Sequence, residues 1–150
     1  MNKNSRLITA LMLGMATLSI PTLATATVTV DIVGASLVAR GAGVLVTAEV
    51  TCDTTNTLPL DSVIVGFGAD ITQRVGRFTT GGDGGTNLNQ PIICDGSTPV
   101  TVEAIVRNFE GVPFKKGLAL IGAGTTVCDP NGIVCESGDT GDTGEEIRIR

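Results

Sequence analysis

Histidine, tryptophan and tyrosine are absent from the 150-residue chain, and phenylalanine occurs only four times. Without histidine, the chain cannot build a Ser-His-Asp or a Cys-His catalytic device. Without tryptophan and tyrosine, it lacks the amphipathic aromatic side chains that form most sugar-binding platforms. A pair of carboxylates remains possible as an acid and a base, with Asp70, Asp83 and Asp95 as candidates, but their spacing does not pair them. The sequence therefore predicts a protein that is not an enzyme.

The N-terminus has the three parts of a secretory signal peptide. Lys3 and Arg6 supply the positive charge, and residues 7–20 form an apolar run that is too short to span a bilayer comfortably. Residues 24–26 (Ala-Thr-Ala) form a small-x-small cleavage site. We predict cleavage after Ala26, with a retained N-terminal anchor as the alternative. Residues 1–26 are then a signal peptide, residues 27–150 form one domain, and the protein is secreted or periplasmic.

The charge balance is acidic, with a formal net charge of −5 at pH 7. Removal of Lys3 and Arg6 with the signal peptide makes it more negative still. Nucleic acids and anionic membranes both require clustered lysine or arginine, so the charge argues against both as partners. The expected partner is a protein or a small molecule outside the cytoplasm. The simplest role of the acidic surface is to keep the domain soluble.

Four cysteines, Cys52, Cys94, Cys128 and Cys135, all follow the signal peptide. An even number of cysteines in a small exported domain is typical of disulfides, and four cysteines allow three pairings. We favour Cys52–Cys94 and Cys128–Cys135, because the second pair encloses a short loop rich in turn residues. A zinc site is the alternative, but the chain has no histidine and no C-x-x-C knuckle.

Alternation of apolar and polar residues runs through the chain, most clearly over residues 43–52, and marks strands with one buried face. We predict further strands over residues 27–33, 62–73, 74–80, 88–94, 100–107, 117–128 and 147–150. The five residues 81–85 (Gly-Gly-Asp-Gly-Gly) are predicted to form a flexible hairpin loop, and residues 138–146 an acidic loop. No segment shows a helical period. About eight short strands at this spacing favour an antiparallel β-sandwich.

Two features resemble the immunoglobulin-like domains of small secreted bacterial proteins. Cys52 closes the second strand on its buried face, with Cys94 before a glycine turn, and residues 106–114 lead to a short-loop cysteine pair and a final strand. The C-terminal arrangement is similar to the neocarzinostatin-type apoproteins, which are immunoglobulin-like, carry two disulfides and bind an enediyne chromophore. The chain departs from that family because Cys52 and Cys94 lie far apart and the usual tryptophan is missing. The resemblance implies an immunoglobulin-like fold of about eight strands.

Two groups of residues are candidate sites. Phe109, Val112 and Phe114 would line a ligand cleft if the chain were a carrier of the chromophore-binding kind; otherwise their loop covers one end of the core. The acidic C-terminal quarter offers oxygen ligands of the kind that calcium prefers. The candidate calcium ligands are Asp129, Asn131, Asp139 and Asp142. A solvated acidic loop is the alternative, and no cofactor is predicted.

From these observations we expect a secreted, non-enzymatic structural or interaction module. The alternatives are a small-ligand carrier and a secreted inhibitor that acts through one exposed loop. A carrier would have a cavity between its sheets, whereas an interaction module would have a filled core and a partner surface at its loops or edges.

Overall fold

Strands dominate the computed structural model, which describes residues 28–53, 58–59, 61–96, 98–141 and 143–150. The predicted signal peptide and Asp142 lie outside the described residues, so cleavage after Ala26 stays a prediction. Within the described ranges, no helix is long and apolar enough to cross a membrane.

Eight strands and one short 3₁₀ helix (Ala39–Gly41) form the described part of the chain. The strands are β1 (Val28–Val38), β2 (Gly43–Cys52), β3 (Val63–Val75), β4 (Phe78–Ile93), β5 (Val100–Asn108), β6 (Gly117–Cys128), β7 (Cys135–Asp139) and β8 (Glu145–Ile149). Burial alternates along most of them, as the period of two predicts. The all-β prediction is confirmed.

The strands pair in the order β1-β2-β5-β4-β3-β6-β7, and β8 pairs with β6 alongside β7. Neighbouring strands are antiparallel, and the sheet curls into a half-barrel. The link between β4 and β5 is short, because only Gly82–Asn108 and Asp83–Arg107 are paired there. The sheet therefore has two well-paired parts, β1-β2-β5 and β4-β3-β6 with β7 and β8, joined by a narrow junction.

The two edges of the curled sheet meet, because β7 and the residue after β8 lie against β1. Arg150, just after β8, donates its N–H to the Ala35 oxygen and accepts from the Leu37 N–H, both at 3.1 Å. Arg150 thus bonds to the residues on either side of Ser36, which is the hydrogen-bond pattern of two parallel strands. Further along β1, Gly138 of β7 lies against the Val28 carbonyl, so closely that a Cβ at Gly138 would collide with it.

The space inside the curl is filled by valine, isoleucine and alanine side chains from both parts of the sheet. Val44, Val106, Ile64 and Ile121 are all fully buried and belong to one hydrophobic cluster. Phe114, from the loop before β6, closes this cluster at one end. A core of branched aliphatic residues thus replaces the aromatic residues that the sequence lacks.

Three local predictions are wrong. Residues 81–85 are not a loop but part of β4, and the strand predicted over residues 74–80 is divided by a tight turn, where Gly76 has φ of 63°. The residues predicted as a loop at 138–146 include the end of β7 and the start of β8. In β4, glycine is retained because Gly82 and Gly84 pass directly over carbonyl groups of β5, where a Cβ does not fit.

Both predicted disulfides form, and both lie at the same end of the sheet. Cys52–Cys94 joins the end of β2 to the residue after β4, with a Cα–Cα distance of 5.9 Å. Cys128–Cys135 joins the end of β6 to the start of β7 at 4.0 Å. We call this the disulfide end; β2, β4 and β6 finish there, and β3, β5 and β7 begin there.

Candidate functional site

Positive charge is concentrated at the end of the sheet opposite the disulfides. All the lysine and arginine side chains in the described part of the chain lie there, and each is exposed. We call this the basic end; its charged residues are Arg40, Arg74, Arg77, Arg107, Lys115, Lys116, Arg148 and Arg150. The strand ends that carry them are the end of β3, the end of β5 and the region of β8, together with the turns beside them.

This clustering changes what the net charge implies. The prediction that argued against nucleic acids and anionic membranes treated the charge as a single total, whereas the fold separates the charge by location. Most acidic residues lie along the strands and at the disulfide end, for example Asp61, Asp95 and Asp129, whereas Glu110 is exposed in the 109–116 loop at the basic end. An anionic surface that approaches the basic end therefore meets positive charge, although the whole molecule is negative.

A loop, residues 109–116, is tied across the basic end by the buried side chain of Gln73. The Gln73 amide donates to the Lys115 carbonyl at 2.7 Å and accepts from the Lys115 N–H at 2.9 Å. Gln73 is only 3% exposed. The Phe114 N–H also donates to the Gly41 carbonyl at 2.9 Å, which ties the loop to the turn between β1 and β2. The backbone that carries Lys115 and Lys116 is therefore held in one position.

A second set of hydrogen bonds fixes the first half of the same loop. Asn108 donates to the Val112 carbonyl at 2.5 Å and to Thr80 Oγ1 at 2.6 Å, and it accepts from the Gly111 N–H at 2.9 Å. Thr80, which is fully buried, donates to the same Val112 carbonyl at 2.6 Å. Because its backbone is anchored at several points, the loop presents its outer side chains in a defined geometry.

The three residues proposed to line a ligand cleft point to different places. Phe114 is buried in the core at 2% exposure, Val112 is half-buried, and Phe109 is 68% exposed. The alternative, that the loop covers one end of the core, describes Phe114 but not Phe109. A cavity of about 240 Å³ lies beside this loop and is lined by Ala42, Asn108, Gly111 and Pro113. These three residues do not line a common cleft, and the carrier function stays a prediction.

Two of the four phenylalanines are exposed, and both belong to the basic end. Phe109 lies in the loop, and Phe78, at 54% exposure, follows the turn between β3 and β4. The Arg77 guanidinium lies 5.4 Å from the centre of the Phe78 ring, within the range of a cation–π contact. The basic end thus combines positive charge with exposed aromatic surface, a combination enriched in protein interfaces.

A groove of about 450 Å³ borders the basic end between β1 and β8. Val33, Ile147, Arg148 and Arg150 are among its lining residues. Val33 reaches the surface, at 53% exposure, because it lies on the same outer face of β1 as the exposed Thr29 and Asp31. Glu146 also lines the groove, which therefore combines apolar, basic and acidic side chains along one side of the molecule.

The disulfide end carries a short loop, residues 129–134, enclosed by Cys128–Cys135. The Asp129 carboxylate accepts from the N–H groups of Ile133 at 2.6 Å and Val134 at 3.1 Å. The loop is therefore fixed at its base, and Ile133 projects from it with 81% of its surface exposed.

The candidate calcium ligands are not brought together. Asp129 and Asn131 lie in the loop before β7, whereas Asp139 lies at the far end of that strand, which rises roughly 13 Å from Cys135 to Asp139. Asp139 accepts from the Gly141 N–H at 2.8 Å, and Asp142 lies outside the described residues. In the described ranges, no group of three metal-ligating side chains is found. Calcium binding stays an untested prediction.

The structure does pair two of the three candidate acid–base residues. Asp70 of β3 and Asp83 of β4 are directly opposite each other on the outer face of the sheet, whereas Asp95 follows Cys94 at the disulfide end. The Asp70 carboxylate leans over Gly122 of β6, where a Cβ would lie 2.5 Å from Asp70 Oδ1. Both side chains are exposed on this outer face.

Sequence reasoning did not find the basic end, because its charged residues are scattered along the chain and meet only through the strand order. The strand ends themselves were predictable, so the positions of Arg74, Arg107 and Lys115 near predicted turns were the available signal. Comparison with known proteins finds no matching family model, no similar curated protein and no similar solved structure.

Proposed function

We propose that this chain is a non-enzymatic interaction module that works outside the cytoplasm and binds an anionic partner surface through its basic end. The observation that carries the proposal is the gathering of every described lysine and arginine at one end of an acidic domain. A chance distribution of surface charge would not need a rigid loop at the same end of the molecule. Here the 109–116 loop at the basic end is anchored by Gln73 and Asn108.

The filled interior supports binding at the surface. Aliphatic side chains from both parts of the sheet occupy the space inside the curl, and Phe114 covers the core at the basic end. The absence of histidine from the sequence supports a role without acid–base catalysis at neutral pH. Two disulfides are typical of proteins exposed to an oxidising compartment, which supports export.

We further propose that the half-barrel is an immunoglobulin-like sandwich whose two sheets are β1-β2-β5 and β4-β3-β6 with β7 and β8. The pairing between β4 and β5 covers two residue pairs, so the two parts are connected over a short stretch only. Residues of both parts share one core, and Cys52–Cys94 links them covalently. An experimental structure in which β4 and β5 pair along their length would contradict this assignment.

Ion-exchange chromatography tests the function. At pH 7 and low salt, a protein with a net charge of −5, or more negative once the predicted signal peptide is removed, passes through a carboxymethyl resin unless its positive charge is clustered. We expect retention, and elution as salt screens the contact. Passage without retention would overturn the proposal.

Two variants with the same net charge provide the control. Lys115→Gln/Lys116→Gln removes two charges from the basic end, whereas Thr29→Glu/Thr98→Glu adds two negative charges near the disulfide end. Only the first pair should lose retention, because retention depends on where the charge lies. Equal loss in both variants would show that net charge alone governs binding.

A second candidate function is inhibition of a protease, and the loop at the disulfide end favours it. A disulfide and the Asp129 carboxylate fix this loop, and Ile133 projects from it. A rigid loop loses little conformational entropy on binding, as protease inhibitors require. We expect inhibition of elastase-type proteases, which accept small aliphatic side chains, and loss of inhibition in Ile133→Asp but not in Ile93→Asp. No inhibition across such proteases would reject this candidate.

A further inference from the structure

The two ends of the molecule are complementary to each other. The disulfide end exposes aliphatic side chains, with Ile133 at 81%, Ile93 at 61% and Val134 at 41% exposure. Acidic residues accompany them, including Asp61 and Asp129. These are the properties that a partner of the basic end requires.

The basic end presents the matching features. Phe78 and Phe109 are exposed there; the Arg77 guanidinium lies over the Phe78 ring, and Phe109 shares its loop with Lys115, Lys116 and Glu110. Contact between the two ends would bury aromatic surface against aliphatic surface and place cations beside carboxylates. Burial of apolar surface supplies affinity, and charge complementarity supplies orientation and register.

We infer that the basic end of one copy docks onto the disulfide end of a second copy, so that the chain assembles head to tail. This inference rests on the proposed function and names its partner as the same protein. The two contacting surfaces are different, and they lie at opposite ends of the molecule. A contact of this kind does not close on itself in a pair, and it produces a linear assembly.

Sedimentation velocity of the exported protein, with its disulfides intact, tests this inference. At low salt we expect species larger than the monomer whose proportion rises with protein concentration. In about 0.5 M salt the charged contacts are screened and the assembly should shrink toward the monomer. A monomer at all concentrations and at low salt would overturn the inference.

Variants blocked at one end make the test specific. Phe109→Asp/Lys116→Glu blocks the basic end, and Ile93→Lys/Ile133→Lys blocks the disulfide end. Each variant alone should sediment as a monomer, and an equimolar mixture should form a dimer and nothing larger, because each variant keeps one working end. A dimer formed by either variant alone would overturn the head-to-tail contact in favour of a symmetric one.

Ile105→Lys/Leu120→Lys is the matched control, because it makes the same chemical change at exposed positions on the strands, 51% and 48% exposed. This variant should assemble as the unmodified protein does. Far-UV circular dichroism confirms that each variant keeps its strands. If assembly is lost in the control as well, then general surface hydrophobicity drives it and the inference fails.

The outcomes also separate this inference from the proposed function. Retention on the carboxymethyl resin without self-association would support the proposed interaction module but reject a second copy of the chain as its partner. Sedimentation with anionic lipid vesicles, without self-association, would likewise identify a bilayer as the partner and reject the inference. If the unmodified protein is neither retained on the resin nor self-associates, both proposals are rejected.

Discussion

Gly84 of β4 passes directly over the carbonyl oxygen of Ile105 in β5, and a Cβ at Gly84 would collide with that oxygen. This contact lies beside the short junction between the two parts of the sheet. We predict that Gly84→Ala forces β4 away from β5 and lowers the free energy of unfolding by about 1–3 kcal/mol. Urea denaturation, followed by far-UV circular dichroism, measures the change.

Gly66→Ala is the control for that substitution. Gly66 lies in β3, and no atom lies within 4 Å of the position that its Cβ would take. Alanine also has a lower conformational entropy than glycine in the unfolded chain, so Gly66→Ala should be neutral or slightly stabilising. Equal destabilisation by the two substitutions would show that strand propensity, not the contact with Ile105, decides the effect.

Gln73 is predicted to control the loop at the basic end. Gln73→Leu keeps the side chain's size but removes both hydrogen bonds to Lys115, which leaves partly buried backbone groups without partners. The expected loss of unfolding free energy is about 1–3 kcal/mol. Hydrogen exchange of residues 109–116 should accelerate, whereas exposed Thr72→Ala should change neither quantity. Unchanged exchange in Gln73→Leu would contradict the anchoring role.

Asn108 is predicted to be more important than Thr80, although both bind the Val112 carbonyl. Asn108→Ala removes three hydrogen bonds, whereas Thr80→Val leaves Val112 bound to Asn108. We expect Asn108→Ala to lower stability by about 1–3 kcal/mol and Thr80→Val by less. Thermal unfolding of both variants under the same conditions measures the order, and the reverse order would contradict it.

The two disulfides are predicted to contribute unequally to stability. Cys52–Cys94 spans 42 residues and Cys128–Cys135 spans 7. In the chain-entropy model the longer loop is worth roughly 4 kcal/mol and the shorter one roughly 2 kcal/mol. Urea unfolding of Cys52→Ala/Cys94→Ala and of Cys128→Ala/Cys135→Ala should reproduce this order. A larger loss from the second pair would indicate that the 129–134 loop stabilises β6 and β7 in the native state.

The sequence predicted the strands whose two faces differ, and it failed where glycine replaced a side chain. Gly43–Cys52 alternates apolar and polar residues throughout, so β2 was predicted with its correct bounds. In β4, Gly82 and Gly84 have low strand propensity, so the sequence did not indicate a strand there. Glycine is needed at these positions because β5, which is remote in sequence, approaches too closely for a Cβ. The disulfide pairing was predictable because one pair encloses so short a loop.

The candidate site was less predictable than the fold. The sequence places Arg40, Arg77 and Lys116 in or near turns, but it does not say which turns share an end of the sheet. That information depends on the strand order, in which β5 inserts between β2 and β4. Phe109 and Phe114 show the same limit, because they lie five residues apart in one loop and differ completely in exposure.

The hydrogen bonds between Arg150 and β1 have a mechanical consequence. Val28 and Arg150 lie at opposite ends of the molecule, on neighbouring strands that run in the same direction. Tension applied between these two residues would pull along the strands and load the connecting hydrogen bonds together, in shear, instead of one after another. We therefore expect a domain of this geometry to resist stretching, and a row of such domains joined end to end to bear tension along its length.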